Sequence, residues 1–164
     1  MGQISRSGKA GFARVTLTTL AALVPPEHEV VIHDARLGAP DYENNWDLVG
    51  FTGMTCEIPH VYAMADRFRA AGTRVAIGGY HASALPGEAR RHADIVVVGE
   101  AETLWPQIIA ECAAGDPRQT VYQCEEFTDM RRMVIPRRDL LDQTMYAMLN
   151  TLQATRGCPF NCEY

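Results

Sequence analysis

Arg74-Val75-Ala76-Ile77-Gly78-Gly79-Tyr80-His81-Ala82-Ser83 is the stretch whose reading decides the fold. Its first four residues form a short apolar run that predicts a buried strand. The glycine pair after it lets the backbone turn through positive φ and come close to a ligand with no Cβ in the way. In open parallel sheets, ligands bind in the crevice beyond the carboxyl ends of the strands. The turn therefore predicts either the rim of a ligand platform or, taken by itself, a plain strand-to-loop connection.

Working outward, the neighbouring segments repeat the same unit of strand and helix. Leu48-Val49-Gly50-Phe51-Thr52 predicts a strand buried on both faces, and Pro59 opens a helix whose apolar positions Val61, Met64, Ala65 and Phe68 share one side before Gly72 ends it. After the organising strand, Pro86-Gly87 leads into a short helix through Arg91. Asp94-Ile95-Val96-Val97-Val98 predicts the last clear strand, and Thr103 to Ala114 a closing helix. Toward the front, Glu29 to His33 predicts a strand. Val15, Leu17, Leu20, Ala21, Leu23 and Val24 predict a first helix, stopped by Pro25-Pro26. Connections of this length suit parallel crossovers, so the fold class is α/β, a doubly wound parallel sheet of flavodoxin-like type over residues 1–114.

The front of the chain does not complete that pattern. Such a sheet opens with an apolar strand that is central in the 2-1-3-4-5 order, and Met1 to Arg14 contains no good strand, Gln3-Ile4-Ser5 being a poor substitute. The expectation is a sheet lacking its first strand, from a truncated or mis-started chain. Residues 115–150 mix charges, prolines and methionines and predict a linker, in which Val121-Tyr122-Gln123-Cys124 is a candidate edge strand. Residues 151–164 begin something new, with Thr151 to Thr155 as a strand start.

Composition limits the partners. With 47% hydrophobic residues in 164, the chain is long enough for one domain with a core and a tail. A formal net charge of -5 disfavours electrostatic capture of nucleic acid. There is no apolar run of membrane-spanning length, and Met1 to Lys9 is too short and polar for a signal peptide, so a cytoplasmic setting is expected. Five cysteines, an odd number, suit free thiols or metal ligands better than a disulfide framework.

The most specific signal is Thr155-Arg156-Gly157-Cys158-Pro159-Phe160-Asn161-Cys162-Glu163-Tyr164. Two thiolates four apart in a Gly/Pro-containing loop can wrap one soft metal centre, iron-sulfur or zinc, although two ligands complete neither. The stretch resembles the cluster loop of the radical S-adenosylmethionine superfamily, C-x3-C-x2-C, up to its third cysteine, which would follow Tyr164. The resemblance implies that Cys158 and Cys162 are two ligands of a 4Fe-4S cluster whose remaining iron chelates S-adenosylmethionine in the complete parent protein. Cys56, Cys112 and Cys124 are scattered and read as incidental thiols.

Residues 15–114 in turn resemble the N-terminal cobalamin-binding domain of one large class of these enzymes. The resemblance rests on Leu20 to Leu23, Asp34-Ala35-Arg36, Val49 to Thr55, the Gly-Gly-Tyr-His-Ala-Ser turn and Val97-Val98-Gly99-Glu100-Ala101-Glu102. It implies that three loops cradle the corrin ring and its nucleotide tail: Thr52, Gly53, Met54 and Thr55; Gly78, Gly79, Tyr80, His81 and Ser83; and Gly99 with Glu100. Small residues there would admit backbone amides to a large flat ring. The D-x-H-x-x-G motif of other cobalamin proteins is absent, so neither His33 nor His81 is assigned to cobalt, and His81 reads as a loop-orienting or exposed histidine.

Glu100 and Glu102 read as first-turn helix charges, His28, His60 and His92 as solvated, and Arg131-Arg132 and Arg137-Arg138 as a balanced solvated linker. The implied function is the cobalamin-binding portion of a radical S-adenosylmethionine enzyme, a methyltransferase or a cyclase or rearrangement enzyme, with a small-molecule substrate and an electron donor as partners. The chain itself is expected to be incomplete for catalysis. The alternatives are a non-catalytic cobalamin-binding or sensory module, and a receiver-like or flavodoxin-like domain without cobalamin. The acidic residues and late lysine of a receiver are not recognisable here.

Overall fold

The computed structural model describes residues 10–115, 117–157 and 160. In chain order they form β1 (Ala10–Phe12), α1 (Val15–Ala22), β2 (Leu48–Thr52), a 3-10 turn (Thr55–Glu57), α2 (Ile58–Ala70), β3 (Arg74–Gly78), α3 (Tyr80–Ala84), α4 (Pro86–Ala89), β4 (Ile95–Val98), α5 (Trp105–Ala113), β5 (Val121–Gln123) and β6 (Tyr146–Met148), with three further 3-10 turns between β5 and β6. The main sheet runs β2-β3-β4-β5 and every neighbouring pair is parallel. This is the flavodoxin-like α/β architecture.

Side-chain alternation divides the core between the two faces of the sheet. Val75, Ile77 and Val96 point to one face, where they meet Ile58, Val61, Ala65 and Phe68 of α2 and Ala82 and Ala89 of α3 and α4. Ala76, Ile95 and Val97 point to the other, where they meet Ile108 of α5 and Tyr122 of β5. Helix α2 is the best-defined of these elements: Pro59 sits in its first turn, its buried positions recur at helical spacing, and Gly72 at φ 88° turns the chain out. Phe68 is 2% exposed, with the rings of Tyr42 and Phe51 centred 4.6 and 5.9 Å away.

Several expectations are corrected. Glu29 to His33 is not a strand: residues 29–34 make no sheet pairing, since an extended segment becomes a strand only beside a partner and none of the described strands lies against it. For the same reason Thr151 to Thr155 does not begin a strand, and β6 lies just before it. Strand β2 is not buried on both faces. Each of its side chains is half-buried and Gly50 is exposed, because β2 forms the edge of the described sheet. Helix α1 buries Thr18, Thr19 and Ala21 instead of its leucines, with Arg137 N–H donating to the Thr18 carbonyl at 2.9 Å. The stretch after Gly79, read as loop, holds the short helix α3, and α4 ends at Ala89, not Arg91. Gln3-Ile4-Ser5 lies outside the described residues, but Met1 to Arg14 does hold a strand, β1, which pairs with β6 and not with the main sheet.

The segment after Ala114 contributes to the fold in two places. Val121–Gln123 pairs with β4 as the far edge of the main sheet. β6 pairs in parallel with β1 to form a separate two-stranded sheet, around which Ala10, Ala13 and Tyr146 are buried. There Asp34 accepts from Arg36 and from the Tyr146 hydroxyl at 3.2 Å. Burial and the Asp34 carboxylate push that hydroxyl up to about 12.

Candidate functional site

The three loops singled out in the sequence follow β2, β3 and β4, which are neighbours in one parallel sheet, so they emerge together at its carboxyl edge. Thr52 and Gly78, the last residues of β2 and β3, are register partners. Gly79 has φ 98° and ψ -175°, a conformation open to glycine, and a Cβ there would stand 2.6 Å from Thr52 Oγ1. The first two loops are therefore in close contact through a position that only glycine fills. Ser83 joins the second to the third, its Oγ accepting the Gly99 N–H at 2.9 Å. Gly99 itself turns at φ 84° against Cys124.

Each loop is braced from behind. Glu57 accepts the Met54 N–H at 2.9 Å and takes both ends of the Arg14 guanidinium, at 2.8 and 2.5 Å. The Arg14 contact foremost holds its carboxyl at about 2 against burial. Gly53 is buried, with space for a Cβ closed by Val61 Cγ2 at 3.0 Å. His81 is not an exposed loop histidine: its Nε2 lies 3.1 Å from Glu88 Oε1, and its ring meets Tyr62 edge-on at 6.3 Å. His92, expected to be solvated, is stacked on Tyr62 at 4.1 Å and contacts Asp66 at 2.9 Å. By contrast Met54 (51% exposed) and Tyr80 (81% exposed) present apolar surface to the outside. Thr55 is exposed at the start of the 3-10 turn, and Gly78 lies against Val97.

Glu100 and Glu102 do not act as free first-turn charges. Glu100 accepts the Thr128 N–H at 2.7 Å, and Arg156 reaches both carboxylates. Burial acts to raise the Glu100 carboxyl, but the Thr128 and Arg156 contacts outweigh it and hold it below its ordinary value. Beside this group lies a cavity of about 570 Å³ lined by Leu23, Glu102, Leu104, Cys124, Phe127 and Met133, among others. None of the cofactor residues named from the sequence lines it. Cys158 and Cys162 lie outside the described residues, and among the described residues no cluster of three or more histidine, cysteine or acidic side chains forms a metal site.

The sequence signal for the Glu57 brace was present, since an acidic residue three after a loop N–H is the spacing of a capping box. Nothing in the sequence pointed to Glu88, and although Arg156 stands in the Thr155–Tyr164 stretch, its partners, like those of Glu88, are set by tertiary packing. The sheet, its glycine turns and the exposed shelf at the carboxyl edge define an α/β domain of the kind that takes a ligand beyond its strand ends. The model of the B12 binding domain family matches residues 15–109, more than half of the chain, and the chain belongs to that family.

Relatives agree in kind. Bacteriochlorophyllide d C-8(2)-methyltransferase of Chlorobaculum tepidum is 32% identical over 160 residues, covering 92% of this chain and 35% of its own length. Bacteriochlorophyllide d C-12(1)-methyltransferase of the same organism is 29% identical over 92% of this chain and 34% of its own length. Hopanoid C-2 methylase of Rhodopseudomonas palustris is 29% identical over 90% of this chain and 29% of its own. The chain thus spans about a third of the length of these relatives. No helix among the described residues is long and apolar enough to cross a membrane.

Proposed function

We propose that this chain is the cobalamin-binding portion, together with the first edge of the radical domain, of a cobalamin-dependent radical S-adenosylmethionine methyltransferase. The observation that carries the reading is the meeting of the Thr52–Thr55, Gly78–Ser83 and Gly99–Glu100 loops at one sheet edge inside a chain of the B12-binding family. Methyl transfer is favoured over cyclisation or rearrangement by the relatives, whose names are those of methyltransferases.

The residues present suit a large flat ring with amide arms. Glycines 78, 79 and 99 keep the floor of the shelf free of side chains, while Met54 and Tyr80 supply exposed apolar surface and Thr52 and Thr55 supply hydroxyls. The Ser83 bond to Gly99 and the close approach of Thr52 to Gly79 fix the three loops relative to one another, so the shelf is formed before any ligand arrives. His81 Nε2 lies 3.1 Å from Glu88 Oε1 and His33 Nε2 lies 3.0 Å from the Gly38 carbonyl, and neither histidine is assigned to the metal in this reading. Bound there, cobalamin would supply the methyl group, and a 4Fe-4S cluster with S-adenosylmethionine would supply the radical that makes an unactivated position reactive. Cys158 and Cys162 are the cluster ligands in this reading, an electron donor and a small-molecule substrate are its partners, and the cytoplasm is its setting.

The test is a spectroscopic titration of the full-length protein with hydroxocobalamin, alongside a variant carrying valine at position 79. Saturable binding by the wild type that the Gly79→Val variant loses while its circular dichroism spectrum stays that of the wild type supports the reading. Wild-type protein that binds no cobalamin while remaining folded rejects it.

A further inference from the structure

The ion-pair group at the end of β4 joins two parts of the chain that the sequence reading kept apart. Arg156 Nη1 lies 3.4 Å from Glu100 Oε2, its Nη2 donates to Glu102 Oε1, and its Nε donates to Gln153 Oε1 at 3.0 Å. All three guanidinium nitrogens are engaged. The Arg156 side chain is 16% exposed and Glu102 14%, whereas Arg131, paired with its near neighbour Asp129, is 89% exposed. A forked cation held out of water between two carboxylates is a more specific contact than a solvated local pair, because a planar guanidinium presents its donors in a rigid fork, whereas a lysine ammonium is a point charge on a flexible stem. Without it, Glu102 would lose its cation while largely buried, and Glu100 would keep only the Thr128 N–H.

The position of this contact gives it meaning. Glu100 follows Gly99 in the third loop of the shelf, and its carboxylate also takes the Thr128 N–H. Arg156 stands two residues before Cys158 in sequence, and Gly157 between them turns at φ 82°. Upstream, Thr151 Oγ1 donates to the Ala13 carbonyl at 3.0 Å, and Arg138 donates to the Thr151 carbonyl. The approach to the cysteine pair is therefore fastened at one end beside β1 and at the other to the loop that carries Glu100.

We propose that Arg156 is a positioning residue: clasped by Glu100 and Glu102, it fixes the segment that leads to Cys158 against the third loop of the cobalamin-side shelf. The inference rests on the function proposed above. Its test uses the full-length protein with its cluster reconstituted, compared with Arg156→Met, Arg156→Lys, Glu102→Gln and the exchange pair Arg156→Glu with Glu102→Arg. The readouts are iron content, the rate of cluster loss to a chelator, the electron paramagnetic resonance spectrum of the reduced cluster, and hydroxocobalamin affinity.

The expected result for Arg156→Met is cluster loss faster by about tenfold, equivalent to about 1.4 kcal/mol, with an altered cluster spectrum, both read at a temperature well below the variant's thermal midpoint, which loss of the clasp lowers. Glu102→Gln changes in the same direction, Arg156→Lys falls between, and the exchange pair recovers most of the wild-type behaviour. Wild-type spectra and cluster lifetimes in Arg156→Met, or an exchange pair worse than both of its parents, would overturn the positioning role. A wild-type protein that takes up no iron at all would overturn the functional reading and the inference with it, and the iron content of the wild type separates that case from the first.

Discussion

Replacing Gly79 by alanine tests the geometry of the shelf directly. At φ 98° and ψ -175° the residue occupies a region reserved for glycine, which costs any other residue about 1–3 kcal/mol. The new Cβ would also stand 2.6 Å from Thr52 Oγ1, so the Thr52 side chain must leave its rotamer at a further cost of about 0.5–1.5 kcal/mol. The sum, about 2–4 kcal/mol, is a large part of the stability of an ordinary domain and would lower a urea midpoint by about 1–2 M. The two contributions separate in a double-mutant cycle. With Thr52→Ala the clash is gone and only the backbone strain remains, so the pair should couple favourably by about 1 kcal/mol. Gly87→Ala is the control: it adds a Cβ with nothing within 4 Å, inside α4, and should be neutral or slightly stabilising. Equilibrium denaturation followed by circular dichroism reads the wild type and all four variants. Gly79→Ala with a wild-type midpoint, or strictly additive losses in the cycle, would refute the argument that glycine is required because two loops meet there.

Two further outcomes follow from the packing and the charges. Glu57 titrates at about 2 in the folded chain against an ordinary 4.5, so its pairing with Arg14 stabilises the fold above pH 4.5 and is lost as pH falls from 4.5 toward 2. That fall is worth about 3 kcal/mol before screening, and about 1–2 with Arg14 30% exposed; Arg14→Met should flatten this part of the stability–pH curve, and parallel curves would reject the assignment. Phe68→Ala should cost about 3–5 kcal/mol in the same denaturation assay, since the ring is closed in by Tyr42, Phe51 and α2, while Phe68→Leu should cost much less; a loss below about 1 kcal/mol for the alanine variant would mean that this core collapses around the cavity.

Much of the shelf was legible because its signals are local. A run such as Val75-Ala76-Ile77 alternates sides whatever surrounds it, and the structure sends Val75 and Ile77 to the α2 face and Ala76 to the α5 face. Glycine at 79 and 99 announces backbone that other residues resist, and both positions turn at positive φ. The Cys158-to-Cys162 spacing and the ordered set of family motifs lie at the same level, and the family match over residues 15–109 agrees with the latter. Length and spacing also gave the parallel connections, since crossovers of this size admit little else.

Pairing was not legible, because a strand is a property of two segments. Glu29 to His33 has the composition of a strand and makes no sheet contact, while Tyr146–Met148, in a stretch that reads as connector, pairs with β1; the edge strand expected at Val121–Gln123 does close the far edge of the sheet. The buried face of α1 falls on Thr18 and Thr19, and Arg137 N–H donates to the Thr18 carbonyl, a partner that no periodicity within the helix reveals. Arg156 finds Glu102 across 54 residues of sequence. By itself the sequence determined which backbone conformations and which sides of each element were available, since sterics and apolar periodicity act between near neighbours. Only the tertiary structure decided which edges pair and which charges meet, since those depend on segments that are distant in the chain and adjacent only once it has folded.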